Sequence, residues 1–152
     1  MLRKILLICL GLVLIIPAFT AAADEGDLSL ARIQSERKVL VEGVVKPSPQ
    51  QSKAFWDTYW AYRETIANLD NRSRKLLEEY EKSFGALNDD QAERMLKEAA
   101  KINVERVEAR KDVVKKLEKI LIPKQVVRFL QIENKMDAII GLDMAIDIPF
   151  SD

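Results

Sequence analysis

From Phe55 to Leu87 the apolar positions advance in alternating steps of four and three. They are Phe55, Tyr59, Tyr62, Ile66, Leu69, Ser73, Leu76, Tyr80 and Leu87, with Ser83 the one skipped position. This is the seam of a coiled-coil-like helix. It predicts a helix from Pro49 to about Leu87, roughly 57 Å long at 1.5 Å per residue. A second stripe, Leu96, Ala100, Val104, Val107, Val114, Leu117 and Leu121, is interrupted at Arg110. It predicts a helix from Asp89 to Leu121, about 50 Å long. Gly85 is a helix stop and Asn88 a helix start, so the two long helices are expected to form an antiparallel hairpin. Ala92, Ala99 and Ala100 would let them approach closely. A short helix over about 28–41 precedes the hairpin, ended by Gly43 and Pro47-Ser48-Pro49, and a C-terminal helix runs from Pro123 to about Ile146. No strand pattern is present, and the expected class is all-α.

The helix starts share a chemistry. Ser48-Pro49-Gln50-Gln51 offers a capping serine, a proline at the first helical position and a glutamine at the third. Asn88-Asp89-Asp90-Gln91 has the same form with Asn as cap. In such a box the cap side chain accepts from the third helical amide while the glutamine reaches back to the cap amide. Ile122-Pro123-Lys124-Gln125 keeps the proline and glutamine but lacks a cap oxygen. A weaker start is expected there, joined to the preceding helix by a sharp kink without a true loop.

The N-terminus carries a different pattern. Arg3 and Lys4 precede an apolar run from Ile5 to Ile16, which Pro17 breaks before Ala21-Ala22-Ala23. This is the layout of a secretory signal peptide, and cleavage is expected after Ala23. The run is shorter than the roughly 20 residues a spanning helix needs, so no permanent membrane anchor is expected after cleavage. The organisation expected is a signal peptide at 1–23, a short helix and linker at 24–48, and a hairpin domain with its C-terminal helix at 49–148. The predicted location is the periplasm.

Composition narrows the chemistry. The 24 basic and 24 acidic side chains cancel over the 152 residues, and loss of Arg3 and Lys4 takes the balance to −2. No basic excess points to nucleic acid. Histidine is absent and Cys9 is the only cysteine, inside the leader. A mature chain without either excludes disulfides, Cys/His zinc sites, Ser-His-Asp triads and c-type haem attachment. No glycine-rich phosphate loop or nucleophile elbow occurs, and no cofactor is expected. Acidic groups such as Asp89, Asp90 and Asp143 read as helix-dipole partners and solvated side chains rather than metal ligands.

Leu87-Asn88-Asp89-Asp90-Gln91 and Leu121-Ile122-Pro123-Lys124-Gln125, 34 residues apart, resemble the paired Leu-Thr-x-x-Gln motif of the Spy/CpxP family, with Asn88 and Ile122 at the threonine positions. The segment from Gln125 to Lys135 is similar to the family's stretch after its second motif, and the resemblance covers Pro49 to about Ile140. These are small helical periplasmic proteins of bacterial envelope stress. The resemblance implies a cradle-shaped homodimer that binds unfolded or envelope proteins without catalysis, as an ATP-independent chaperone or a stress-response accessory. The alternative is a structural or regulatory protein with one dedicated envelope partner. The family's zinc-linked branch uses His-rich segments, which this chain lacks.

Two side-chain groups stand out. Phe55, Trp56, Tyr59, Trp60 and Tyr62 crowd one stretch, and Trp56 and Trp60 lie about 100° from the seam. Either both faces are buried, or Phe55, Trp56, Tyr59 and Trp60 contribute to a client or dimer surface, where tryptophan is enriched. The second group is charge near the core. Glu133 lies by the stripe Val126, Phe129, Met136, Ile140, and Arg106 and Arg110 lie close to the stripe of the third helix. A buried charge demands a partner, so Glu133 is expected to pair with Arg106 or Arg110, with Arg63 as a third possibility.

Overall fold

The structure is a computed structural model that describes residues 28–146. Four helices follow in order: α1 Leu30–Val45, α2 Pro49–Ser83, α3 Asp89–Leu117 and α4 Pro123–Ile146. No strand occurs among the described residues, and the protein is all-α. The expected leader, its cleavage site after Ala23 and the closing Pro149 lie outside the described residues. No described helix is long and apolar enough to cross a membrane.

Helix α2 packs against α3, and α1 packs against α4. Both pairs are antiparallel: Asp70 meets Arg106 and Arg72 meets Glu98 across the hairpin, while Arg37 meets Glu133 and Lys46 meets Gln125 across the other pair. The pairs face each other through aromatic side chains, with Phe129 of α4 set edge-on to Tyr59 and Tyr62 of α2 at 6.2 and 6.1 Å. One core results, contributed by Ile33, Val41 and Val45 from α1, Phe55 to Leu69 of the α2 seam, Ile102, Val113 and Leu117 from α3, and Val126, Phe129, Ile132 and Met136 from α4.

The seam read from the sequence of α2 is the one that is buried, through Phe55, Tyr59, Tyr62, Ile66 and Leu69. Beyond Leu69 the same stripe is only half-buried at Ser73, Leu76 and Tyr80. Length explains the change. The 35 residues of α2 span about 52 Å, whereas the 16 of α1 span about 24 Å. Past the reach of α1, the hairpin has fewer neighbours.

Helix α3 departs from expectation. Leu96, Val104 and Val107 are 71%, 62% and 59% exposed, whereas Met95, Ile102, Val113 and Leu117 are buried. Only the lower end of the expected stripe reaches the core, with Leu117 and Leu121 buried in it and Val114 half-buried against it. The seam that faces α2 includes Ala99, Arg106 and Ala109, all half-buried. These small and polar positions alternate with the buried Met95, Ile102 and Val113, and Arg106 reaches across to Asp70 at 2.8 Å.

The helix ends follow the capping chemistry. Ser48 and Asn88 each form a complete capping box, with Gln51 and Gln91 reaching back to the cap amides at 2.9 and 3.1 Å. Between them, Gly85 takes a positive φ of 78° in the hairpin turn. The hairpin helices are shorter than expected, α2 ending at Ser83 and α3 at Leu117. A turn over residues 118–122, built on bonds such as Leu121 N to Leu117 O at 2.8 Å, replaces the expected loop-free kink. Gln125 still performs half of a capping box there, accepting from Ile122 N at 3.2 Å.

These ends converge. The Gln51 Nε2 donates to Ile120 O at 3.0 Å, and the Gln125 Nε2 donates to Lys46 O at 2.8 Å and to Gln51 Oε1 at 3.2 Å. Two amides thereby tie the last carbonyl region of α1, the start of α2, the turn after α3 and the start of α4. Helix α1 runs on past Gly43 to Val45, and Lys46 closes it in the left-handed conformation, φ 52°. That conformation costs a residue with a Cβ about 1–2 kcal/mol, and here it sets Lys46 O against Gln125. The Asn88–Gln91 box belongs to the opposite end of the hairpin, so the two glutamines brought together are Gln51 and Gln125. Gln125→Ala strips buried partners from Lys46 O and Ile122 N and is expected to cost about 1–3 kcal/mol, whereas Gln91→Ala at an exposed cap should cost less than about 1 kcal/mol. Chemical denaturation of the two variants checks the contrast.

Candidate functional site

The α2 face beside the buried seam carries Trp56, Trp60, Arg63 and Arg74, in steps of four, three and eleven. Trp56 is half-buried and Trp60 is 45% exposed. Their rings stack at 5.7 Å and 23°. Lys38 of α1 places its Nζ 5.4 Å from the Trp56 ring centroid, a cation–π contact that also holds the indole in place. Phe55 and Tyr59, expected as surface candidates, are fully buried. They support the tryptophans from beneath, Phe55 edge-on to Trp56 at 4.9 Å and Tyr59 edge-on to Trp60 at 5.0 Å. The physical reason is their place on the seam, which the α1–α4 pair covers.

Trp60 opens onto a cleft of about 580 Å³ between α1, α2 and the end of α4. Leu30 and Ile33 of α1 and Ile140 of α4 give it apolar walls, while Arg37, Lys38, Arg63 and Arg74 line it with positive charge against Asp143 alone. The Arg74 Nη1 bonds Asn71 Oδ1 at 2.9 Å, which steadies the guanidinium beside the opening. A smaller, mainly apolar groove of about 260 Å³ lies where Gly141 and Ala145 of α4 approach the hairpin at Leu76, Leu77, Ala99 and Ile102.

Under the cleft sits a buried charge. Glu133 is 1% exposed. Its Oε1 accepts from the Tyr59 hydroxyl at 3.0 Å and from Arg37 Nη1 at 3.2 Å, and its Oε2 faces Arg63 Nη1 at 3.5 Å as an ion pair without hydrogen-bond geometry. The expected partners Arg106 and Arg110 are therefore not its partners. Arg106 pairs with Asp70, and Arg110 bonds Asn134 and Asp137. Helix rotation is the reason. Asn134 is turned about 100° from Glu133 on α4, so the side of α4 that meets α3 presents Asn134 and Asp137, while Glu133 points toward α1 and α2. Arg63, the third expected partner, does meet Glu133.

Burial pushes the Glu133 carboxyl above the usual carboxylate range, while Arg37, Arg63 and the Tyr59 hydroxyl draw it back. Burial, reinforced by the Glu133 charge, likewise raises the Tyr59 hydroxyl, which stays a donor. The pairing holds Arg37 and Arg63 at the cleft floor. Lys38 and Ile33 were not singled out in the sequence, because only the α1–α2 contact brings them to the tryptophans. Arg74 was not singled out in the sequence either; its spacing of fourteen residues from Trp60 is the signal that could have found it.

The fold and site define a four-helix protein with long hairpin arms and a tryptophan-floored, cation-rimmed cleft. Comparison of the chain with protein-family models, with curated proteins and with solved structures gives no match.

Replacing Arg37 by Met leaves Glu133 with one cation, and loss of a partner from a buried pair costs about 3 kcal/mol. A carboxyl whose native pKa is raised takes up its proton in the folded state before the unfolded chain does. Stability is therefore gained as pH falls through that raised value toward the ordinary one of about 4.3. The deficit of Arg37→Met relative to the parent protein should shrink between pH 8 and pH 5. Thermal melts across that window test it, and a deficit independent of pH would remove Glu133 from the explanation.

Proposed function

We propose that this is an exported, non-enzymatic binding protein that holds apolar and acidic segments of other proteins in the envelope, in the manner of an ATP-independent chaperone or an envelope-stress accessory of Spy/CpxP type. The observation that carries the reading is Trp60, 45% exposed beside a cleft whose walls are apolar and whose rim is cationic. A tryptophan braced by stacked and edge-on neighbours presents a large contact area at little entropic cost, which is the character of binding hot spots. The cations select for acidic or backbone-carbonyl-rich segments. Absent histidine and the lone Cys9 leave a mature chain suited to grip rather than to nucleophilic chemistry. The three-part pattern of residues 1–23 supports export, and N-terminal sequencing of the secreted chain should begin near Asp24.

The protein should suppress aggregation of several unrelated unfolding clients at stoichiometric amounts. Trp60→Ala should weaken client binding about tenfold, or about 1.4 kcal/mol, and lower stability only by the loss of its ring contacts, about 1 kcal/mol. Light scattering with three clients and calorimetric melts measure both. Protection of none, with co-purification of a single envelope component, would favour a dedicated partner instead.

A further inference from the structure

The charge of this chain balances in sum but not along its length. Residues 115–128, from the last turn of α3 through the turn into α4, hold Lys115, Lys116, Lys119, Lys124 and Arg128 against Glu118 alone. Of these cations only Lys115 has an acidic partner among the described residues, Asp112 at 3.7 Å. The neighbouring helix ends do not neutralise the surplus. Glu42 and Lys46 at the end of α1 cancel, and Lys53 at the start of α2 is held by Asp57 at 2.7 Å. The hairpin tip is the reverse, with six acids in residues 78–94 against Lys82 and Arg94. The 29 residues of α3 set these two regions about 43 Å apart, so opposite charges occupy opposite ends of the hairpin.

Two aliphatic side chains share the basic end. Ile122 is 58% exposed and Val127 is 53% exposed. Ile122 serves the glutamine junction only through its backbone. We infer that this end rests on a bilayer of anionic phospholipid, with the lysines at the phosphates, Ile122 and Val127 among the upper acyl carbons and the hairpin tip pointing away. The type of cation favours lipid over an acidic protein. Four of the five are lysines, mobile point charges that can follow a fluid layer of phosphates, whereas the planar guanidinium suits a fixed carboxylate. Arginines stand instead in the cleft, as Arg37, Arg63 and Arg74. Aliphatic side chains among lysines gain burial from a bilayer interface and gain nothing from a soluble polyanion. The same surface repels the acidic tip, which orients the molecule. Each cation near such a surface strengthens binding about fivefold, and the two half-exposed aliphatics together add about tenfold.

Co-sedimentation of the purified protein with vesicles of about 30% phosphatidylglycerol in phosphatidylcholine, and with phosphatidylcholine alone, tests this at about 0.1 M salt, where charges act over about 10 Å. The expected result is binding to the anionic vesicles, none to the neutral ones, and at least a tenfold loss at about 0.5 M salt. Lys116→Gln, Lys119→Gln and Lys124→Gln together should weaken binding about a hundredfold, with unchanged helicity because all three side chains are exposed. The same charge removed at Lys75, Lys82 and Lys101, beyond the screening length from the basic end, should change it less than about threefold. Ile122→Ser with Val127→Ser should weaken it about tenfold. Binding to neither vesicle, equal binding to both, or equal losses from the two lysine triples would each overturn the inference. An affinity unchanged by the two serines would assign the surface to a soluble acidic partner and overturn the bilayer as well. The Trp60 cleft lies between the two ends, and none of these results bears on it.

Discussion

Two side-chain amides hold one end of this molecule together. Gln51 and Gln125 each begin as a capping residue, satisfying a helix amide that has no partner within its own helix. Each does so by accepting at its Oε1, which leaves its Nε2 donors over. Those donors go to the carbonyls of Lys46 and Ile120, at 2.8 and 3.0 Å, and Gln125 closes the link onto Gln51. Four chain segments are thereby fixed at one level, and the rest of the architecture radiates from there. Because two helices end and two begin at this level and their lengths differ, the hairpin must outrun α1. The half-buried distal seam of α2 and the exposed arms follow from that inequality.

Above this junction the bundle accepts a cost. Glu133 is buried among Phe129, Met136 and Tyr59, in a position where an apolar side chain would pack. A buried ion pair seldom adds stability over such packing. What it does here is orient: Tyr59, Arg37 and Arg63 converge on one carboxylate from α1 and α2. This sets the rotation of α4 relative to both helices and plants two guanidinium groups at the cleft floor. The same rotation hands Asn134 and Asp137 to Arg110 on α3. One buried charge thus registers α1, α2 and α4, and its neighbours on α4 register α3.

The two exposed apolar features have different physical origins. Trp60 is exposed because the short α1 and the end of α4 leave an opening beside it, bounded by Leu30 and Ile140. Leu96, Val104 and Val107 are exposed because α3 turns inward the side that bears Met95, Ile102 and Val113 with Ala99 and Ala109 between them, and their own side faces out. A helix choosing between two apolar stripes buries the one whose shape fits its neighbour, since a poor fit forfeits dispersion contacts all along the seam.

The sequence by itself determined the helix class, the starts at Pro49, Asp89 and Pro123, and the buried seam of α2 from Phe55 to Leu69. Caps and prolines act over three residues of chain, and a four–three seam of large rings has only one apolar solution, so both can be read locally. The tertiary structure decided the rest. The partners of Glu133 depend on how far α4 is rotated, and one residue of error turns a side chain by about 100°. The covered face of α3 is a tertiary choice, because the exposed Leu96, Val104 and Val107 are as apolar as the buried Met95, Ile102 and Val113. The meeting of Gln51 with Gln125, 74 positions apart in the chain, exists only because four helix ends arrive at the same place.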